Sequence, residues 1–221
     1  MKPVVVFLHG LARSQWSMAR VRYWVSRQGF ETWTMTYQSR SQPMEALADR
    51  VYDRIVTDLG VDTPLLAVTH SMGGILVRYL GDRLNWQGAF MMAPPNQGSE
   101  AARTLDPFKP FHAFYGPAGE AMTGVRPFPP PPEPTVIVAG SLGLSVGNPL
   151  SVLTSAVGVH GEAPHDGLVA VHETRLDGEH PHRVVAASHT WIMDHPETRR
   201  LLAHFLEHRE LPEPVSPPAR A

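Results

Sequence analysis

The chain has 221 residues, 43% of them hydrophobic, which suits one globular domain with a sizeable core. Its formal net charge is −2 with histidine neutral, so the whole-chain balance gives no electrostatic case for nucleic acid or an anionic surface as partner. No cysteine is present, which excludes disulfides and thiolate chemistry.

The chain opens on MKPVVVFLHG. A secretory signal needs an apolar stretch of roughly 7–15 residues and a small-residue cleavage site. VVVFL is shorter and runs into His9-Gly10, so it reads as a strand. No apolar run approaches the roughly 20 residues of a membrane span, and the expected location is cytoplasmic, with no integral membrane segment. Further short, β-branched apolar runs follow at 31–37, 64–70, 88–93, 135–140 and 182–188. Most lack strict alternation, as strands buried on both faces do. Between them lie helical patterns. Residues 44–59 place Leu47, Val51, Ile55 and Leu59 four apart. Residues 72–84 place Ile75, Leu76, Tyr79 and Leu80 on one stripe. Residues 196–209 do the same with Leu201, Leu202, Phe205 and Leu206, and Pro196 fits a helix start. Strand and helix in alternation predict a mostly parallel sheet covered on both faces.

Two segments break the rhythm. Residues 94–134 carry Phe108, Phe111, Phe114, Tyr115 and Phe128 and the run PFPPPPEP. Residues 141–181 are rich in Gly, His and polar residues. Long irregular segments inside a compact domain are commonly functional loops. The reading is one domain over 1–210 and a Pro-rich tail over 211–221, with no internal repeat.

The chemistry centres on VTHSMGGILV, where an apolar run stops at Ser71 and a helical pattern begins. A strand that turns sharply into a helix presents its corner residue at the C-terminal sheet edge, where open α/β sheets bind ligands. The strained corner wants small neighbours, and Gly73 supplies one. The helix behind it points N–H groups at a developing oxyanion. The plain alternative is a serine capping a helix.

HSMGG after a strand resembles the nucleophile elbow of α/β-hydrolases, in particular bacterial lipases and esterases. The usual pattern is G-x-S-x-G, and Thr69 stands where the first Gly is expected. The resemblance implies an α/β-hydrolase fold with about six or more mostly parallel strands, helices on both faces and no large cap domain. It also implies a chain order of Ser, acid and His. His189 follows the run 182–188 and is the expected base; His195, beside Pro196, suits a capping role better. Asp166 in APHDGLVAV resembles the acid segment of many lipases, with Asp194 and Glu162 as rivals. The oxyanion donors implied are the N–H groups of Met72 and of Leu11, the latter in the His9-Gly10 loop. The loop APPNQGSEAA also resembles a lipase segment, in which Ser99 either echoes the family or caps a helix.

The aromatics Phe108, Phe111, Phe114 and Tyr115 either line an acyl pocket or lid, or pack over the sheet. HETRL misses H-E-x-x-H at its last position, and His160 and His165, which with Asp166 could ligate a metal, read first as polar loop histidines. No phosphate-binding glycine loop occurs. The expected function is therefore cofactor-free and metal-free hydrolysis of small-molecule or lipid carboxylic esters, with no nucleic-acid partner. Acyl transfer, or amide or lactone opening, by the same triad stays open. So does a non-catalytic binding role, and the oligomeric state is not readable.

Overall fold

The computed structural model describes residues 2–105, 116–123, 127–143, 154 and 158–213. The strands are β1 (Val4–Leu8), β2 (Thr32–Thr34), β3 (Leu65–His70), β4 (Trp86–Met92), β5 (Thr135–Gly140) and β6 (His182–Val185). They form one six-stranded sheet in the order β2-β1-β3-β4-β5-β6, and every pairing is parallel. The six apolar runs are therefore the six strands, with β2 and β6 shorter than their runs.

Side-chain alternation sorts each strand onto two cores. Val4, Val6 and Leu8 join Leu65, Ala67, Ala89 and Met91 on one face. Val5 and Phe7 join Leu66, Val68, Phe90 and Met92 on the other. Both faces are buried, so the central strands β1, β3, β4 and β5 are mostly apolar, as in parallel sheets, while the edge strands β2 (TWT) and β6 (HRVV) are more polar and less buried. Helices α2 (Met44–Leu59) and α3 (Met72–Leu80) cover the first face through Leu47, Val51, Ile55, Ile75, Leu76 and Leu80. Helix α1 (Ala19–Arg27) and a helix over Pro196–His208 cover the second through Val21, Val25, Leu201, Leu202 and Phe205. The pattern over 72–84 gives a shorter helix, because the chain turns at Gly81 with φ 47° into a 3-10 turn, Gly81–Arg83.

A further helix, α4 (Glu100–Leu105), and the helical residues 116–121 lie between β4 and β5. Ala102, Ala118 and Met122 from this region are buried in the first core. The final helix, α5 (Pro196–His208), is followed by Leu211, which packs on the second core. Among the described residues there is no large cap domain, and no helix is long and apolar enough to cross a membrane. Because β1 lies between β2 and β3, the connections leaving β1 and β3 diverge over opposite faces. Their C-terminal ends bound the crevice where such sheets bind ligands.

Candidate active site

Ser71 sits where β3 becomes α3, with φ 52° and ψ −125°. A non-glycine residue with positive φ is strained by about 1–3 kcal/mol and persists only where its surroundings fix it. Three contacts do so here. The Ser71 N–H donates to the Met92 carbonyl at 2.9 Å, and the Gly74 N–H donates to the Ser71 carbonyl at 2.9 Å. At Gly73 a Cβ would lie 2.2 Å from the Leu8 carbonyl oxygen, so α3 starts hard against the end of β1. The Ser71 side chain does not cap the helix, so its hydroxyl is not consumed as a structural group. Thr69, at the place of the first motif glycine, is fully buried. The glycine at 74 makes room for Pro94, whose Cβ lies 2.8 Å from where a Gly74 Cβ would be, while Thr69 Oγ1 stands at ordinary contact distance, 3.4 Å.

His189 and Asp166 meet directly. Nδ1 of His189 lies 2.7 Å from Oδ2 of Asp166, and both residues are buried. Oδ1 accepts the N–H groups of Leu168 at 3.0 Å and Val169 at 2.8 Å. The His189 N–H donates to the Asp166 carbonyl at 2.9 Å, so the two loops are tied by backbone as well. Burial alone would raise the Asp166 carboxyl. The charge and hydrogen bond of His189 and the two backbone donors outweigh it and hold the carboxyl below its ordinary value. An ionised Asp166 accepts only, so Nδ1 of His189 carries the proton and Nε2 keeps its lone pair.

His70, the residue before Ser71, brings this pair to the corner. Its Nε2 lies 2.9 Å from the His189 carbonyl, and the two rings stand 4.8 Å apart. Among the described residues the Ser71 hydroxyl makes no hydrogen bond, so two of the three expected side chains join directly and Ser71 stands beside them through its neighbour. The rivals have other tasks. Nδ1 of His195 accepts the Glu197 N–H at 3.3 Å, capping α5. Asp194 pairs with Arg199 at 2.7 Å, and Glu162 is exposed.

The loop after β1 approaches the same corner. A Cβ on Gly10 would lie 3.2 Å from the Ser71 Cβ and 3.2 Å from Nδ1 of His70, so a side chain here would press on the corner and push those neighbours by a few tenths of an ångström. Leu11 follows, and Ala12 takes φ 55°. Among the described residues neither the Leu11 N–H nor the Met72 N–H has a protein acceptor. The loop is braced from the β2 side. His9 stacks on Tyr37 at 3.8 Å between ring centres, and the Tyr37 hydroxyl donates to the His9 carbonyl. Nδ1 of His9 donates to the Gly10 carbonyl at 2.9 Å, while Nε2 accepts the Tyr37 N–H at 3.3 Å. Ser39 Oγ accepts the Ala12 N–H at 2.9 Å. The His9 ring is thus neutral, and burial pushes its pKa down to about 4.

Sequence patterns did not single out Tyr37, Ser39 or the bracing roles of His9 and His70. The β1–β2 register carried a signal for Tyr37. Pairing of Val5 with Thr32 and Phe7 with Thr34 brings the residues after β2 beside His9. Ser99 takes its plainer role: Oγ accepts the Ala102 N–H at 3.3 Å at the start of α4. Phe128 is half-buried under the Arg78 guanidinium, 5.3 Å from its ring centre. Phe108, Phe111, Phe114 and Tyr115 lie outside the described residues. Glu100, His172 and Glu173 bring possible metal-ligand atoms within 4.8 Å of one another. The buried Glu173 carboxylate, however, accepts the Glu100 N–H and the Ala170 N–H and lies 3.5 Å from Arg103. That accounts for the group as a brace between two loops.

No protein-family model matches the sequence, and no curated protein matches it. Solved structures do match in fold. The mature form of lipase BlEst2 from Bacillus licheniformis gives a TM-score of 0.66 at 16% identity, covering 93% of this chain and 92% of its own. The metagenomic carboxyl esterase MGS0156 gives 0.62 at 15% identity, covering 94% and 76%. YbtT, a type II thioesterase of the yersiniabactin pathway, gives 0.55 at 16% identity, covering 94% and 92%. The chain has the α/β-hydrolase fold these enzymes share.

Proposed function

We propose that the protein is a serine hydrolase that cleaves carboxylic esters through an acyl-enzyme on Ser71. The observation that carries the reading is the buried 2.7 Å His189–Asp166 bond, which points the lone pair of His189 Nε2 away from the carboxylate. It stands beside a strained serine whose hydroxyl caps nothing.

In this mechanism the Ser71 hydroxyl turns to His189 Nε2 and gives up its proton as Oγ attacks the acyl carbonyl. Asp166 holds the imidazole in the receptive tautomer and offsets the charge it gains. The Met72 and Leu11 N–H groups donate to the tetrahedral oxyanion, each worth on the order of 10²–10³ in turnover. The imidazolium then protonates the departing alcohol, and water repeats the sequence on the acyl-enzyme. The chemistry uses no cofactor. A thioester enters the same acyl-enzyme with a better leaving group, and the thioesterase among the fold neighbours favours testing it.

A fluorophosphonate probe tests the nucleophile. Wild type should label and Ser71→Ala should not. A wild type that stays unlabelled where a known lipase reacts would leave a non-catalytic binding protein; labelling of Ser71→Ala would move the nucleophile elsewhere. A panel of p-nitrophenyl esters should then show activity on short and medium acyl chains, and exclusive use of long-chain triglycerides would contradict that.

A further inference from the structure

The whole-chain charge of −2 conceals a local excess. From Gly10 to Gly29 the sequence holds Arg13, Arg20, Arg22 and Arg27 and no acidic residue. This stretch forms the loop after β1, the 3-10 turn Gln15–Met18 and α1. Helical spacing splits it into two faces. Met18, Val21 and Val25 are buried on the sheet. Trp16, Arg20, Tyr23 and Arg27, at steps of four, three and four, form the outer stripe. Trp16 is 75% exposed and Tyr23 67%, which is unusual for such large rings.

Beside the stripe lies a groove of about 510 Å³ lined by Arg20, Tyr23, Trp24, Arg27, Asp194 and Arg199. Its one carboxylate is already paired with Arg199 at 2.7 Å and lies 3.7 Å from Arg20. Three guanidinium groups against one carboxylate leave the groove cationic. The stripe also reaches the rim of the site. Arg13 shares the loop of Leu11 and donates to Thr190 Oγ1 at 3.3 Å, next to the half-exposed Trp191.

We propose that this face seats the protein on an anionic phospholipid bilayer. Arginines supply attraction to the charged surface, and Trp and Tyr are the side chains that settle at the boundary between headgroups and acyl chains. The groove is of a size and charge to take a phosphodiester headgroup. An acidic protein or a DNA duplex would match the charge but give the exposed Trp16 indole and Tyr23 phenol along the stripe no apolar layer to enter. Docked this way, the rim that carries Leu11 and Thr190 faces the membrane. The surface stands independently of the ester chemistry, since binding requires no turnover.

The test is co-sedimentation of the full chain with vesicles of phosphatidylcholine alone, and of phosphatidylcholine with phosphatidylglycerol, at low and high salt. Wild type should bind the mixed vesicles at low salt, lose them at high salt, and ignore phosphatidylcholine. Each arginine near an anionic surface is worth about fivefold in binding, so Arg20→Gln with Arg27→Gln should weaken it roughly 25-fold. Trp16→Ser with Tyr23→Ser should weaken it as well. Melting temperature and fluorophosphonate labelling of both double variants should stay at wild-type values, which separates this outcome from misfolding and from failure of the serine-hydrolase reading. Absence of wild-type binding to mixed vesicles at low salt would overturn the proposal. So would unchanged binding by the arginine pair. Loss in the arginine pair alone, with equal capture of an acidic polypeptide or a DNA duplex, would identify a purely ionic surface and overturn the membrane assignment.

Discussion

Replacing Asp166 with Asn tests whether the polarity of the His189 ring governs the reaction. Asp166 Oδ1 serves two backbone donors, Leu168 N–H at 3.0 Å and Val169 N–H at 2.8 Å, while Oδ2 faces Nδ1 of His189 at 2.7 Å. Asparagine offers one oxygen and one NH₂. Two fixed N–H donors claim the oxygen, so the NH₂ turns to His189. It cannot accept the Nδ1 proton, and the imidazole responds by carrying its proton on Nε2. The ring then presents a donor where the proposed mechanism needs a lone pair. The fold keeps both backbone bonds, so the loss falls on catalysis. It should be about 10⁴ in kcat, the magnitude seen for the same exchange in a protease triad, or about 5 kcal/mol of barrier. The assay is p-nitrophenyl butyrate hydrolysis alongside circular dichroism. KM should barely move, because the lost interaction belongs to the transition state. An Asp166→Asn protein that turns over within tenfold of wild type would refute the argument.

Gly73→Ala should destabilise the protein by about 3 kcal/mol or more, at or beyond the top of the usual overpacking range, because its Cβ would meet the Leu8 carbonyl oxygen at 2.2 Å. A urea midpoint equal to wild type would contradict this. Tyr37→Phe removes the hydroxyl donor to the His9 carbonyl and should cost about 1 kcal/mol in stability. If the loop it braces holds the Leu11 donor, kcat should fall too while KM holds, and an unchanged kcat would detach the brace from catalysis. Acid should erode stability through His9 and His70, whose buried rings titrate at about 4 and about 3. Unfolded histidine takes its proton near 6.5, so the unfolded state binds more protons below that pH. Stability should fall as pH drops from there, by up to roughly 1.4 kcal/mol per pH unit for each ring. Denaturant titrations at neutral and mildly acid pH would read the slope, and His70→Gln should flatten it; an unaltered slope in that variant would rule His70 out.

Much of the geometry at this corner was legible because its requirements are local. A strand end, a small residue at 73 and a helix pattern specify the corner, and the structure has Ser71 at positive φ there. APHDGLV carries its own turn, in which Asp166 caps Leu168 and Val169, so the place of this carboxylate is recognisable from a few neighbours. The bracing of the loop after β1 was not legible. Tyr37 reaches His9 across 28 positions of sequence, and only the β1–β2 register brings them together. Burial of Arg78 was equally hidden. Its guanidinium serves the Phe128 carbonyl and Asn96, two loops that no periodicity connects. The end of the helix after Ser71 depends on Gly81 with φ 47°, which the apolar stripe through Leu80 does not reveal.

His70 also bears on the proposed role of His189 as base. During the proposed turnover His189 becomes cationic with the His70 ring centre only 4.8 Å away. A charged His70 would oppose that step by roughly 3–4 kcal/mol at an effective dielectric of about 20. Burial first, and the neighbouring His189 second, push its pKa down to about 3, so it stays neutral near neutral pH. Neutral His70 still gives Nε2–H to the His189 carbonyl at 2.9 Å, and its backbone is the residue before Ser71. One uncharged ring thus links the loop of the proposed base His189 to the strand that ends at the proposed nucleophile Ser71 without competing for the proton. A lysine or arginine could make the same hydrogen bond, but it would place a fixed cation where the imidazolium must form. A phenylalanine would spare the charge and leave the His189 carbonyl without its donor.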